Sequence, residues 1–111
     1  MAISTDNITS QMRKGFLEYC ILLLINKKPY YTSDIIKELR SVKLIVVEGT
    51  LYPLLTRLKN SGLLDYKWVE STQGPPRKYY ALTENGKLFL KDLDGAWTDI
   101  KQVVEFIKSN K

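Results

Sequence analysis

Residues 47–64, VEGTLYPLLTRLKNSGLL, carry two different faces on one short segment. Set at 100° per residue, Val47, Leu51, Leu54, Leu55 and Leu58 gather on one side, which predicts an amphipathic helix with an inner stripe. The opposite arc holds Gly49, Thr50, Tyr52, Pro53, Thr56, Arg57 and Asn60, with no acidic residue among them. Hydroxyls, an amide, one guanidinium and a glycine that permits close approach suit a phosphate backbone and base edges in a groove. Gly62 fits the left-handed position after the last turn, with Leu63 folding back on the helix. Pro53 removes a backbone donor, a change that costs about 3 kcal/mol in an ordinary helix interior. Its place near the start predicts a slight kink or a loose first turn.

The flanking segments supply a core for that stripe. From about Thr9 to Asn26, Met12, Phe16, Leu17, Cys20, Ile21, Leu23, Leu24 and Ile25 cover most of a helix circumference toward the C-terminal half, so this helix is buried on two sides. Pro29 blocks its continuation, Thr32 or Ser33 can cap a second helix, and Ile35, Ile36 and Leu39 give that helix one inward stripe. Leu64–Ser71 and Arg77–Leu82 are rich in β-branched and aromatic residues, with Thr72–Pro76 as a five-residue loop between them: a hairpin. Period two places Tyr80 and Leu82 on the core face and Arg77, Tyr79 and Ala81 on the other, with Arg77 and Lys78 at the tip. Thr83 caps a final helix.

In that final helix Leu90, Leu93, Trp97, Ile100, Val104 and Ile107 alternate by three and four, the spacing of a coiled-coil seam. The seam lasts about two and a half heptads, short of a free-standing coiled coil, and Phe89, Ala96 and Val103 widen it. Because the first three helices and the hairpin already satisfy one core, the simplest partner is a second copy of the chain.

Composition narrows the partner. The 111 residues fit one domain with one modest core. All of the net charge of +5 lies in residues 1–83, with 12 basic and 7 acidic residues, whereas residues 84–111 hold five of each. The surplus therefore travels with the bare-faced helix, which favours a polyanion over a generally basic surface. Cys20 is the only cysteine, so an intramolecular disulfide is impossible, and a core filler is its simplest role. The apolar run 19–25 is too short to span a membrane and no cleavable signal precedes it, so a cytoplasmic protein is expected.

Helix, helix, helix, two-stranded wing and terminal helix define an α+β, mostly α architecture: a winged helix-turn-helix over residues 1–83 with a dimerisation helix over residues 84–111, compact as one domain. The chain resembles the PadR-type, phenolic-acid-responsive transcriptional regulators, in particular short members with one C-terminal helix. The resemblance spans about Met12 to Ile107. Its most specific parts are GTLYPLLTRLKNSGLL at 49–64 and PPRKYYALTENG at 75–86, while MRKGFLEYCILLLI at 12–25 matches the family's first helix. One departure is Pro29-Tyr30-Tyr31, where many members carry a glycine before the tyrosine.

The resemblance implies that Tyr52 approaches DNA together with Gly49 and Thr50; the bland alternative is that Tyr52 edges the core. Arg57 and Asn60 lie on the outer face, where Arg reaches a phosphate or a guanine edge and Asn an adenine. Lys59 is as readily a solvated flank. The resemblance also implies that Arg77 and Lys78 contact the backbone or minor groove through the wing, against a reading as simple surface charge. At the centre of the seam, Trp97 corresponds to an aromatic that several PadR-like dimers face across a groove, sometimes around flat hydrophobic ligands. Plain interface packing is the competing role. A pocket there would be walled by Trp97, Phe89, Leu93, Phe16 and Cys20.

Three classes of function compete. The first is a homodimeric repressor on a near-palindromic double-stranded operator, released by a small hydrophobic or aromatic effector. A winged helix that docks proteins without specific DNA binding is the second. An enzyme is the third, and the sequence offers it little: there is no histidine, Asp92 and Asp94 diverge by about 200° on a helix, Cys20 lacks a base, and no glycine-rich phosphate loop precedes a helix. No metal or cofactor is expected.

Overall fold

The computed structural model describes residues 5–109, so the outermost ends of the two expected regions lie outside the described residues. Four helices and three short strands follow in the order α1 (Thr5–Lys27), β1 (Tyr30–Tyr31), α2 (Thr32–Ser41), α3 (Glu48–Asn60), β2 (Leu64–Ser71), β3 (Gly74–Leu82) and α4 (Glu84–Ser109). The sheet is antiparallel in the order β1-β3-β2, so the wing has a third strand beyond the two expected. β1 is only Tyr30 and Tyr31, paired with Tyr80 and Tyr79, too short to leave a periodicity signal.

β1 also changes how α2 begins. Tyr31 is its N-cap, extended at φ −83° and ψ 150° with no side-chain cap, and Thr32 is buried inside the first turn. The expected hydroxyl cap at Thr32 or Ser33 is therefore replaced by a residue that pairing with Tyr79 already holds extended. Just beyond the end of α2, Lys43 has φ 67°, and the Leu44 amide donates to the Leu39 carbonyl at 2.9 Å.

α3 ends as its sequence predicts. Gly62 has φ 80°, its amide donates to the Lys59 carbonyl at 2.9 Å, and the Leu63 amide donates to the Leu58 carbonyl at 3.0 Å. This paired arrangement satisfies two of the terminal carbonyls and turns the chain into β2. Leu51, Leu55 and Leu58 form its buried stripe, with Leu54 packed alongside. Val47 departs from the expected inner face: it is the extended N-cap, outside the helical phase, and is 64% exposed, while Val46 fills the core instead.

The hairpin turn is tighter than expected. Ser71 pairs with Gly74, so only Thr72 and Gln73 form the turn, and Pro75 and Pro76 belong to β3 rather than to a loop. Proline's fixed φ suits an extended strand where its missing amide faces solvent. The register places Leu64, Tyr66 and Trp68 on one face with Lys78, Tyr80 and Leu82, and Asp65, Lys67 and Val69 on the other with Arg77, Tyr79 and Ala81.

Thr83 caps α4, its hydroxyl accepting from the Gly86 amide at 3.0 Å and donating to the Gly62 carbonyl at 2.6 Å. The end of α3, the end of β3 and the start of α4 thus meet at one junction. The first half of α4 then lies on α1: Leu90 is buried in the common core, Leu93 packs against it, Tyr19 donates to Asp94 Oδ1 at 2.5 Å, and Phe16 meets Trp97 edge-on at 5.1 Å. Beyond Trp97 the helix projects, and the molecule measures 59 × 35 × 23 Å.

Candidate nucleic-acid interface

The outer face of α3 is free of the chain's own packing. Val47's carbonyl accepts from both Thr50, at 3.0 Å, and Leu51, at 3.1 Å, so the first turn is shared between two bonding patterns. The helix continues unbroken past Pro53, which leaves the Gly49 carbonyl without its usual donor four residues on. The shared bond at Val47 is a pattern common at helix starts and does not by itself choose between the kink and the loose first turn expected of Pro53. A methyl group at Gly49 would meet nothing within 4 Å, so no contact inside the chain requires its lack of a side chain.

Tyr52, Pro53, Thr56, Arg57, Asn60 and Ser61 line one shallow trough on this face, and none is acidic. Tyr52 is 45% exposed on this face, while its hydroxyl neighbours the buried Tyr80, so it stands at the edge between the open surface and the core. Arg57 is the exception to a free outer face: it forms an ion pair with Glu18 of α1. Glu18 had no visible connection to α3 in the sequence, because only the packing of α1 beside α3 joins residues 39 positions apart.

The wing adds cations on both of its faces. Lys78 lies 4.5 Å from the Tyr66 ring centre and 5.2 Å from that of Trp68, and Lys59 of α3 approaches the same Tyr66 ring at 5.5 Å. Such cation–π contacts contribute about 0.5–1 kcal/mol at exposed sites and hold the ammonium groups near the α3–wing cleft. Trp68 is 61% exposed beside Lys78. Arg77 points the other way and stacks on Tyr31 at 4.8 Å. Tyr66 and Trp68 were missed from sequence because a five-residue loop conceals the register that aligns Trp68 with Lys78. Burial, and next the neighbouring Tyr52 and Tyr66 hydroxyls, push the Tyr80 phenol up.

The terminal seam divides into two parts. Leu90 and Leu93, expected at a dimer interface, are drawn into the chain's own core, since α1 covers the start of α4. Trp97 is 39% exposed and meets the Phe16 ring of the same chain at nearly a right angle. Ile100, Val104 and Ile107 remain uncovered, together with Val103 and Phe106. The groove beside Trp97 is lined by Thr98, Lys101, Gln102 and Glu105. It does not include the expected Phe16, Cys20, Phe89 or Leu93: Cys20 and Leu93 pack against the core, and Phe89 is 38% exposed. Burial pushes the Cys20 thiol up, which disfavours the thiolate needed for nucleophilic chemistry.

A three-helix unit with a sheet wing, an open third helix and an added terminal helix defines a winged helix-turn-helix protein. The chain belongs to the PadR-like family of transcriptional regulators, whose family model, described as "Transcriptional regulator PadR-like family", matches residues 21–92. A PadR-like transcription factor from Bacteroides fragilis is 64% identical, with 92% of this chain and 99% of that chain covered and a TM-score of 0.78. A PadR-like transcriptional regulator from Bacillus cereus is 32% identical over 91% of this chain and 99% of its own, with a TM-score of 0.82. A PadR family transcriptional regulator from Eggerthella lenta is 30% identical over 99% and 100%, with a TM-score of 0.83. The family is one of regulators rather than enzymes. Among the described residues, no helix is long and apolar enough to cross a membrane.

Proposed function

We propose that this regulator is a homodimeric, sequence-specific repressor that acts in the cytoplasm on double-stranded DNA. Two copies join through the C-terminal half of α4, and their α3 helices enter successive major grooves of a near-palindromic operator about 10 base pairs apart. The observation that carries the reading is the acid-free trough from Tyr52 to Ser61, backed by Lys59 and Lys78 at the wing. Gly49 and Thr50 bring the first turn close to the bases, and Arg77 and Lys78 engage the backbone on either side of the wing. Residues 5–83 carry recognition, and residues 84–109 carry both core packing and dimerisation.

Support for the second copy comes from the uncovered apolar end of α4, where Val103, Phe106 and Ile107 are 57%, 65% and 66% exposed. Projecting apolar side chains of this density are characteristic of interaction surfaces. A small hydrophobic effector entering beside Trp97 in the dimer would release DNA only by binding one spacing of the two α3 helices better than the other.

Selection of duplexes from a random pool by the purified protein tests the reading. Enrichment of a two-fold sequence with half-sites one helical turn apart is the expected result. Failure to enrich any sequence would instead favour a winged helix that docks proteins.

A further inference from the structure

α1 carries a second cationic site beside the start of α3. Ser10, Arg13, Lys14 and Leu17 follow one another at intervals of three, one and three, a single stripe along one face of α1. At its C-terminal end this stripe is core: Leu17 is buried, and Ile21, one turn further, is fully buried. The periodicity that drives Leu17 inward therefore turns Arg13 and Lys14 toward the same side of the molecule, where the core has ended and the α2–α3 connection begins. There, Ser10, Arg13, Lys14, Ile45, Val47 and Thr50 line a concavity of about 280 Å³.

Three features leave this concavity open to an anion. Its lining contains two cations and two hydroxyls but no carboxylate. Among the described residues Arg13 and Lys14, like most of the cations, form no ion pair, so no carboxylate competes with an anion for them as Glu18 does for Arg57. It is also continuous with the reading surface, because Thr50 belongs both to this concavity and to the outer arc of α3.

We propose that Arg13 and Lys14 bind the phosphate backbone of the same duplex whose groove α3 enters, as a clamp on the strand passing the first turn of α3. The inference rests on the DNA-binding reading above. The Arg13 guanidinium offers paired donors to phosphate oxygens, Lys14 adds a point charge, and the Ser10 and Thr50 hydroxyls supply neutral donors beside them. Backbone contacts of this kind fix position without reading sequence.

The test is a fluorescence-anisotropy titration of a labelled duplex chosen by the wild-type protein from a random pool, repeated from about 50 to 200 mM salt. The R13A/K14A variant is compared with the K91A variant on α4, and circular dichroism verifies that both fold, since all three side chains are exposed. The clamp predicts that R13A/K14A flattens the logarithmic salt slope by about 0.9 for each lost contact, about 1.8 per protomer, with the preferred sequence unchanged. An unchanged slope overturns it, as does a K91A loss of about half that size, the share of its one removed charge, which would mean that only overall charge matters. A wild-type protein that binds no duplex overturns the DNA-binding reading and the clamp together; binding with an unaltered R13A/K14A slope overturns the clamp alone.

Discussion

Arg57 on the outer face of α3 is held by Glu18 of α1. The one guanidinium in the trough thus has an internal carboxylate partner, and a phosphate or base edge must compete with Glu18 for it. Both side chains are substantially exposed, so the pair contributes little to stability, about 0–1 kcal/mol. Glu18→Gln is expected to leave the melting temperature nearly unchanged and to raise DNA affinity by up to about fivefold, the equivalent of that energy. Arg57→Ala is expected to weaken binding and lower the salt slope by about 1 per protomer. Anisotropy titrations of both variants check the pair, and a weaker-binding Glu18→Gln would show that Glu18 orients Arg57 for DNA instead of competing with it.

Gly86 ties α4 to the end of α3. A methyl group there would lie 2.1 Å from the Leu63 carbonyl oxygen, a backbone atom fixed by its own bond from the Thr83 amide at 3.1 Å. Gly86→Ala must therefore shift the junction, at an expected cost of about 1–3 kcal/mol. Gly95 in the same helix has nothing within 4 Å, so Gly95→Ala is expected to stabilise by about 0.5–1 kcal/mol through helix propensity. Urea denaturation of the two variants separates close packing from propensity; equal effects of one sign would refute the distinction.

How much of this was legible in the sequence depended on whether the information was local. The α3 stripe, the left-handed Gly62 and the Thr83 cap are set by neighbouring residues, and the structure has all three. Val47 was misplaced because a helical wheel cannot tell a first turn from the extended residue that starts it. β1 escaped notice because two residues have no period, and its pairing with β3 in turn displaced the expected cap of α2. The prolines suggested a loop, yet their backbone angle also suits an exposed strand, and that choice concealed the Trp68–Lys78 register. For the site, the outer arc of α3 was readable from periodicity. Glu18 and the facing of Arg13 and Lys14 toward Thr50 were not, since both depend on how α1 packs against distant segments.

The uncovered end of α4 makes a separable prediction. Ile100, Val104 and Ile107 are 51%, 44% and 66% exposed, so a charge at any of them costs a single chain little. Val104→Asp combined with Ile107→Asp is expected to leave the helical signal intact and, given the dimer proposed above, to shift sedimentation velocity from dimer to monomer. DNA affinity should fall with it, because one half-site then lacks the support of the other. A variant that remains dimeric would move the interface elsewhere on the chain.

Tyr19 supplies a pH signature of the α1–α4 contact. Its phenol donates to Asp94 at 2.5 Å, and its pKa is pushed up from 10.0 to about 12, first by that hydrogen bond, then by burial and by the Asp94 charge. The neutral phenol is the form the fold favours, so the contribution is complete below pH 10 and is lost as pH rises through about 12. Thermal melts of the wild type should therefore fall more steeply over this window than those of Tyr19→Phe, which has no proton to lose. Tyr19→Phe should also be less stable near neutral pH, because Asp94 loses its donor, and the two melting curves should converge as the window is crossed. Parallel curves from pH 9 to 12 would mean that the Tyr19–Asp94 bond does not hold α4 to α1 in solution.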